Sequence, residues 1–318
     1  MLLKELVEIE SPSGREERIK KFVREYLESR GYDVVEEELF LATNPGSDLI
    51  VATHLDTVAS KSGFSFDGTY AYGTGVADAK ASVAAMLEAA DAGIDYTLAF
   101  FCEEEESGRG SKSFVELWKW GKYAIVMEPT QLKVASKHFG NVEAEIVVRG
   151  VAAHGATPEF GVNAIEKAME VYRALKRELN ISVLKMEGGG DEYIVPEVCR
   201  MKIDVLVEPS DLERVLRVLE SVNAEVRILE KSDGFYSGRS AELLAKAMEM
   251  CGLEVEFTVM PSWTDAINLA ERYDVVVWGP GELHLCHTSA ERIKVEEIEV
   301  AKNVLVKLND VVKDVRVN

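Results

Sequence analysis

The chain has 318 residues, a formal net charge of −20 and 47% hydrophobic residues. Such a length suggests about two domains, and the apolar fraction is enough for a sizeable core. The acidic excess argues against nucleic acid or an anionic membrane surface as partner, because those polyanions require a cation excess.

In chain order, MLLKELVEIE is amphipathic and acidic, unlike a signal peptide, and no apolar run in the chain approaches the ~18 residues of a membrane span. A cytoplasmic protein is expected. Ser13 and Glu16 form a capping-box pattern ahead of the helical run REERIKKFVREYLESR, with Gly31 at the position of a C-terminal helix glycine. DLIVAT is a short strand that ends at His54. AKASVAAMLEAADAG reads as a helix ended by Gly93. YTLAFFC runs as a strand into Glu103–Glu106, and KYAIVM as another into Glu128. Strands alternating with helices predict an α/β domain with a mostly parallel central sheet. The middle has a different texture. NVEAEIVVRG alternates like a half-exposed strand, NAIEKAMEVYRALKREL is helical and MEGGG is a flexible break. RMKIDVLVEP, DLERVLRVLESV and AEVRILE follow as strand, helix and strand. The β-α-β-β-α-β order predicts a small α+β, ferredoxin-like domain. The end returns to α/β texture with SAELLAKAMEMCG, LEVEFTVM, DVVVWG and the closing helix VEEIEVAKNVLVKLNDVV. The expected division is a catalytic domain of residues 1–132 and 234–318, interrupted by an inserted domain of residues 133–233.

Several predicted strands deliver a His or a carboxylate just past their C-terminal ends, where open α/β sheets place their binding crevice. His54 is one, with Asp56 two residues on, suited to fix its tautomer. Asp78 sits in the glycine-bearing loop GTGVADAK, whose close backbone approach suits a carboxylate bridging two cations. Within Glu103–Glu106, adjacent acids pointing different ways suit one ligand and one proton shuttle. Glu128 precedes Pro129, which keeps its backbone extended. His284 and His287 are both candidates in GPGELHLCHTSAERI, and Cys286 beside them reads as a packed thiol. The four cysteines, Cys102, Cys199, Cys251 and Cys286, contain no C-x-x-C pair and suit a reducing compartment. Carboxylates with imidazoles suit divalent ions, zinc first, with cobalt or manganese as alternatives.

These segments resemble the dinuclear zinc amidohydrolases that include acetylornithine deacetylase, succinyl-diaminopimelate desuccinylase, glutamate carboxypeptidase and the archaeal N-acyl-lysine/ornithine hydrolases. ATHLDTV resembles the family's G-H-x-D-T-V, YGTGVADAKAS its G-R-G-x-x-D-x-K-G, and FCEEEESGRGS its D-E-E-x-G-x-x-G. VMEPT, GVAAHGATPEFGVNAI and GPGELHLCHTSAERI match three further motifs in order. The resemblance implies two metal ions, one held by His54, Asp78 and Glu128 and the other by Asp78, Glu105 and His287. It makes Asp56 the residue that orients His54, Glu104 the general base for a metal-bridged hydroxide, and His154 of the inserted lid the stabiliser of the oxyanion. It implies hydrolysis of an amide in an N-acylated amino acid, of the acetyl-lysine or acetyl-ornithine type, free or linked to a carrier protein, with a homodimer formed through the lid. A dipeptidase, carboxypeptidase or desuccinylase on the same machinery is the alternative. A non-catalytic binding homologue would have lost a ligand or the base, and neither is lost. The sequence departs from the family at Tyr193, Leu206 and Ala81. Arg239 and Arg200 are then the candidates for binding a substrate carboxylate bidentately.

Overall fold

The computed structural model describes residues 1–59 and 62–317. The chain forms two compact units, Met1–Lys137 with Ser237–Met260 and Thr264–Asn318, and His138–Tyr236 with Pro261–Trp263.

The first unit is built on a mixed sheet. Its centre holds the strands Thr97–Phe101, Leu49–His54, Tyr123–Val126 and Asp274–Val277, adjacent in that order and all parallel. Phe40–Thr43 and Val34–Glu36 extend one side antiparallel, and Val134–His138 flanks Asp274–Val277 antiparallel on the other. Every residue of Leu49–His54 and of Thr97–Phe101 is buried. This is the signature of strands covered on both faces, and it explains why these segments read as unbroken apolar runs rather than alternating ones. The helix Lys80–Ala90 is buried nearly all round, which its alanine-rich sequence permits. The closing helix Val295–Val317 and the short Leu2–Glu8 pack against it. A separate three-stranded sheet joins Arg292–Lys294, Tyr70–Tyr72 and Ser65–Phe66. No helix among the described residues is long and apolar enough to cross a membrane.

The second unit is an antiparallel sheet in the order Asn180–Gly188, Val198–Val207, Gly140–Arg149, Glu225–Lys231. The helices Ala164–Glu178 and Leu212–Ser221 supply the apolar residues that cover one face. Chain order and sheet order together are those of the ferredoxin-like β-α-β-β-α-β arrangement. Asn163 caps the first helix, its side chain accepting from the amides of Ile165 and Glu166.

Two local expectations fail. MEGGG is not a break at its start, because Met186, Glu187 and Gly188 pair with Met201, Arg200 and Cys199. Glycine is needed at 188 for packing: a Cβ there would come within 2.9 Å of Ile165 and 3.2 Å of Cys199. Nor do Ser13 and Glu16 form a capping box. The helix Glu17–Glu28 begins with no side-chain cap bond, and both polar side chains are engaged elsewhere.

Candidate metal centre

The parallel strands bring their C-terminal ends to one edge of the sheet, and the predicted residues gather there. His54 ends its strand with its ring 1% exposed. Its Nδ1 lies 3.0 Å from the Asp56 carbonyl oxygen. A carbonyl only accepts, so Nδ1 carries a proton, and a ring that gives up its Nε2 proton would present that lone pair to a cation. That Nε2 faces carboxylates, 3.1 Å from Asp78 Oδ1 and 3.9 Å from Glu128 Oε2. His287 Nε2 lies 2.9 Å from Glu105 Oε2 and 3.2 Å from Asp78 Oδ2. Asp78 therefore turns one oxygen to each imidazole. His54, Asp78 and Glu128 form one group of donor atoms close enough for a single ion, and Asp78, Glu105 and His287 form another.

The electrostatics call for cations. Burial by itself would discharge His54, yet Glu128, Asp56 and Asp78 push its pKa well above the usual value. Glu128 is raised well above a normal carboxyl by burial and then by Asp78 and Asp265, with His54 opposing. Its Oε1 is buried with no hydrogen-bond partner. Buried polar atoms are nearly always satisfied, so this orphaned oxygen, on a side chain grouped with His54 and Asp78, fits a cation ligand. Carboxylate and imidazole donors suit a borderline divalent ion.

The four consecutive glutamates separate because the chain turns sharply at the first. Glu103 adopts φ 59° and ψ 36°, a left-handed conformation that costs a non-glycine residue ~1–2 kcal/mol. Its carboxylate goes outward to Arg109 at 2.9 Å. Glu104 is buried among His54, Glu128 and Asp265, and burial raises its pKa well above the usual range. Glu105 turns to His287, and Glu106 is exposed.

Asp56 does more than orient His54. Its Oδ1 accepts from the Glu104 amide at 3.0 Å, and its Oδ2 accepts from the Glu105 amide at 3.0 Å and the Ser13 hydroxyl at 2.6 Å. Burial works to raise its pKa, but the His54, Ser13 and Glu105 bonds hold it below the usual value. On the other side, Glu291 is buried and its Oε1 accepts from the Ala77 and Asp78 amides at 3.1 and 3.3 Å. Gly279 runs close against the Glu128 backbone, where a Cβ would lie 2.7 Å from the Glu128 carbonyl oxygen. Glycine is needed in GPG for this approach. Glu291→Ala would release the Asp78 amide, and metal affinity is expected to fall about 10–100-fold, as for loss of other outer-shell partners. Competition with a fluorescent chelator measures it, and unchanged affinity would contradict the role.

The remaining expected residues belong to neither donor group. His284 is exposed and lies 3.8 Å from Glu282 rather than in either group. Arg239 pairs with Glu242 at 2.5 Å on its own helix, and Arg200 is exposed on a strand of the second unit. His154 also belongs to the second unit, where its ring meets Tyr193 edge-on at 5.4 Å. Missed by sequence reasoning were Ser13, Glu16 and the supporting role of Glu291, although Glu291 lies within the quoted motif GPGELHLCHTSAERI. Asp265 is fully buried, hydrogen-bonded to Ser111 and pushed up to about 7 by burial.

An α/β sheet that gathers imidazole and carboxylate side chains at its strand ends suits a metal-dependent enzyme. The chain matches the model of peptidase family M20/M25/M40 over residues 50–310 and belongs to that family. It is an enzyme that hydrolyses amide or peptide bonds with the help of metal. It is 26% identical over 93% of its length to a Peptidase M20 domain-containing protein of Schizosaccharomyces pombe, covering 80% of that protein. It is 24% identical over 94% of its length to the LysW-lysine/LysW-ornithine hydrolase of Sulfurisphaera tokodaii, covering 91% of it. A tripeptidase structure from Staphylococcus aureus superposes with TM-score 0.84 at 21% identity, covering 98% of this chain and 97% of that one.

Proposed function

We propose that this chain is a dinuclear deacylase that cleaves the amide of an N-acylated amino acid with a basic side chain, free or carrier-linked. The observation that carries the reading is Asp78, whose two oxygens face two separate imidazoles, each with its own further carboxylate. His54, Asp78 and Glu128 would hold one ion, and Asp78, Glu105 and His287 the other. When bound, two such ions supply Lewis acidity, polarising the amide carbonyl and making water a nucleophile near neutral pH.

The rest is done by the chain's own side chains. Glu104, buried beside His54 and in neither ligand group, takes the proton from the attacking water and passes it to the leaving amine. Asp56 fixes both the His54 ring and the amides of Glu104 and Glu105, so base and ligands share one anchor. The excess of carboxylates favours a cationic substrate over an anionic one. The likeness to the Sulfurisphaera tokodaii hydrolase supports the same preference. His154 stands as the oxyanion stabiliser on its motif alone.

The test is a parallel panel with zinc-, cobalt- or manganese-loaded enzyme. It contains acetyl-ornithine, acetyl-lysine, succinyl-diaminopimelate and simple di- and tripeptides. The acyl-lysine and acyl-ornithine amides are expected to show the highest kcat/KM. Preference for succinyl-diaminopimelate or peptides would move the assignment to a desuccinylase or peptidase on the same centre.

A further inference from the structure

The segment Ser11–Glu16 lies before residue 50, outside the part of the chain that matches the family model. It nevertheless reaches the site at several points. The Ser11 hydroxyl donates to the Leu55 carbonyl at 2.8 Å, and the Thr57 amide donates to the Ser11 carbonyl at 2.9 Å. These bonds lock the segment alongside residues 55–57. Ser13 then donates to Asp56 Oδ2 at 2.6 Å, a short charge-assisted bond to the carboxylate that also receives the Glu104 and Glu105 amides. Three residues on, Glu16 Oε1 accepts from the Gly14 amide and the Glu103 amide, both at 3.0 Å.

The second contact falls on the left-handed residue. Glu103 is where the chain leaves the strand and turns so that Glu104 goes inward. Its carbonyl accepts from the Gly108 amide at 2.7 Å, its carboxylate is held by Arg109, and its amide is held by Glu16. Glu16 is itself buried, and burial raises its carboxyl against the lowering effect of those two amides. A buried carboxylate carries a desolvation cost, so its placement here needs a compensating role.

We propose that Ser13 and Glu16 are positioning residues for the reaction: an N-terminal clamp that holds Asp56 and the Glu103 turn, and through them the direction of the Glu104 carboxylate. Their side-chain hydrogen bonds go to Asp56 and to the amides of Gly14 and Glu103, and to no residue of either donor group. Loss of the clamp lowers the fraction of enzyme with Glu104 correctly aimed, while Asp56 keeps its own bonds to His54 and the Glu105 amide, so that metal and substrate binding stay in place. This inference rests on the reading of Glu104 as the base.

The test uses the full-length, metal-loaded enzyme and the amide turned over fastest in the panel above. Glu16→Ala is expected to lower kcat about 10–100-fold, with KM, metal content and melting temperature near wild type. Glu16→Gln retains an oxygen that accepts both amides and is expected to recover most of kcat. Ser13→Ala and Ser13→Thr form an independent pair that removes and keeps the hydroxyl, and they carry the test if Glu16→Ala fails to fold. Unchanged kcat in both alanine variants overturns the clamp. So does a kcat loss that follows lost metal or lost stability, or one that Gln and Thr do not rescue. Glu104→Gln is run beside them. If it is inactive while the clamp variants are normal, the clamp falls and the base stands; if it turns over normally, both fall.

Discussion

Glu104→Ala is expected to retain both metal ions and lose turnover by about 10²–10⁴-fold, the range typical of a missing general acid–base group. The expectation follows from placement. Glu104 stands in neither donor group, so its removal leaves His54, Asp78 and Glu128, and Asp78, Glu105 and His287, intact. It is buried next to His54 and Glu128, so no bulk carboxylate can replace it. The same burial gives a second readout. In metal-free protein, desolvation and then Glu128 and Asp265 raise the Glu104 pKa well above that of the unfolded chain, against the pull of His54. A carboxyl shifted this way favours the fold below the ordinary carboxylate range and loses that contribution as pH rises toward the folded-state value. Chelated Glu104→Gln, which cannot ionise, is therefore expected to melt higher than chelated wild type at neutral pH, while being inactive when metal is restored. Metal analysis, single-turnover kinetics and melting of the chelated proteins together check it. Substantial residual turnover, or loss of either ion, would remove Glu104 from the role of base.

The sequence made the site legible where chemistry and topology coincide. Leu49–His54 and Tyr123–Val126 are buried parallel strands, so their apolar runs end where the crevice begins, and the polar residues at those ends stand out as candidates. Asp78 and His287 were found through their glycine-bearing loops and ordered motifs rather than through periodicity. What the sequence hid is longer-range. The letters Ser13 and Glu16 suit a capping box, and nothing local reveals that one bonds Asp56, 43 residues on, and the other Glu103, 87 residues on. The divergence of the glutamates depends on a left-handed φ at Glu103, a position with no glycine to announce it. MEGGG looked like a break because glycine is a usual break signal, whereas Gly188 is a strand residue small enough to lie against Ile165 and Cys199. Substrate choice was the least legible part. Arg239 turns to Glu242, so a carboxylate ligand for it would have to displace a partner already in place.

Asp78→Ala is expected to cost more than any other single change to the centre, because it removes a donor from both groups at once. Loss of an outer-shell partner costs about 10–100-fold in metal affinity; loss of a shared direct donor should exceed that for each ion. The remaining pairs, His54 with Glu128 and Glu105 with His287, each keep two donors, fewer than the three protein ligands of a catalytic zinc site. Asp78 is also held ionised. Burial works to raise its pKa, but hydrogen bonds from His287 and His54 hold it well below the usual carboxylate range. Its negative charge is therefore present at any pH where the enzyme would work, and Asp78→Asn, which keeps the shape but not the charge, is expected to lose metal almost as completely as Ala. Ligand binding stabilises a fold by mass action, ~2.7 kcal/mol at a ligand concentration one hundred times Kd. Added zinc should raise the melting temperature of the wild type and leave that of Asp78→Ala nearly unchanged. Glu128→Ala and His287→Ala remove a donor from only one group each, so each is expected to retain one ion more firmly than the other. Stoichiometry by mass spectrometry of desalted protein distinguishes these outcomes: two ions for wild type, about one for either single-group variant, and none for Asp78→Ala. Two firmly held ions in Asp78→Ala would show that the two groups do not share a bridge, and the dinuclear reading would have to be rebuilt around other donors.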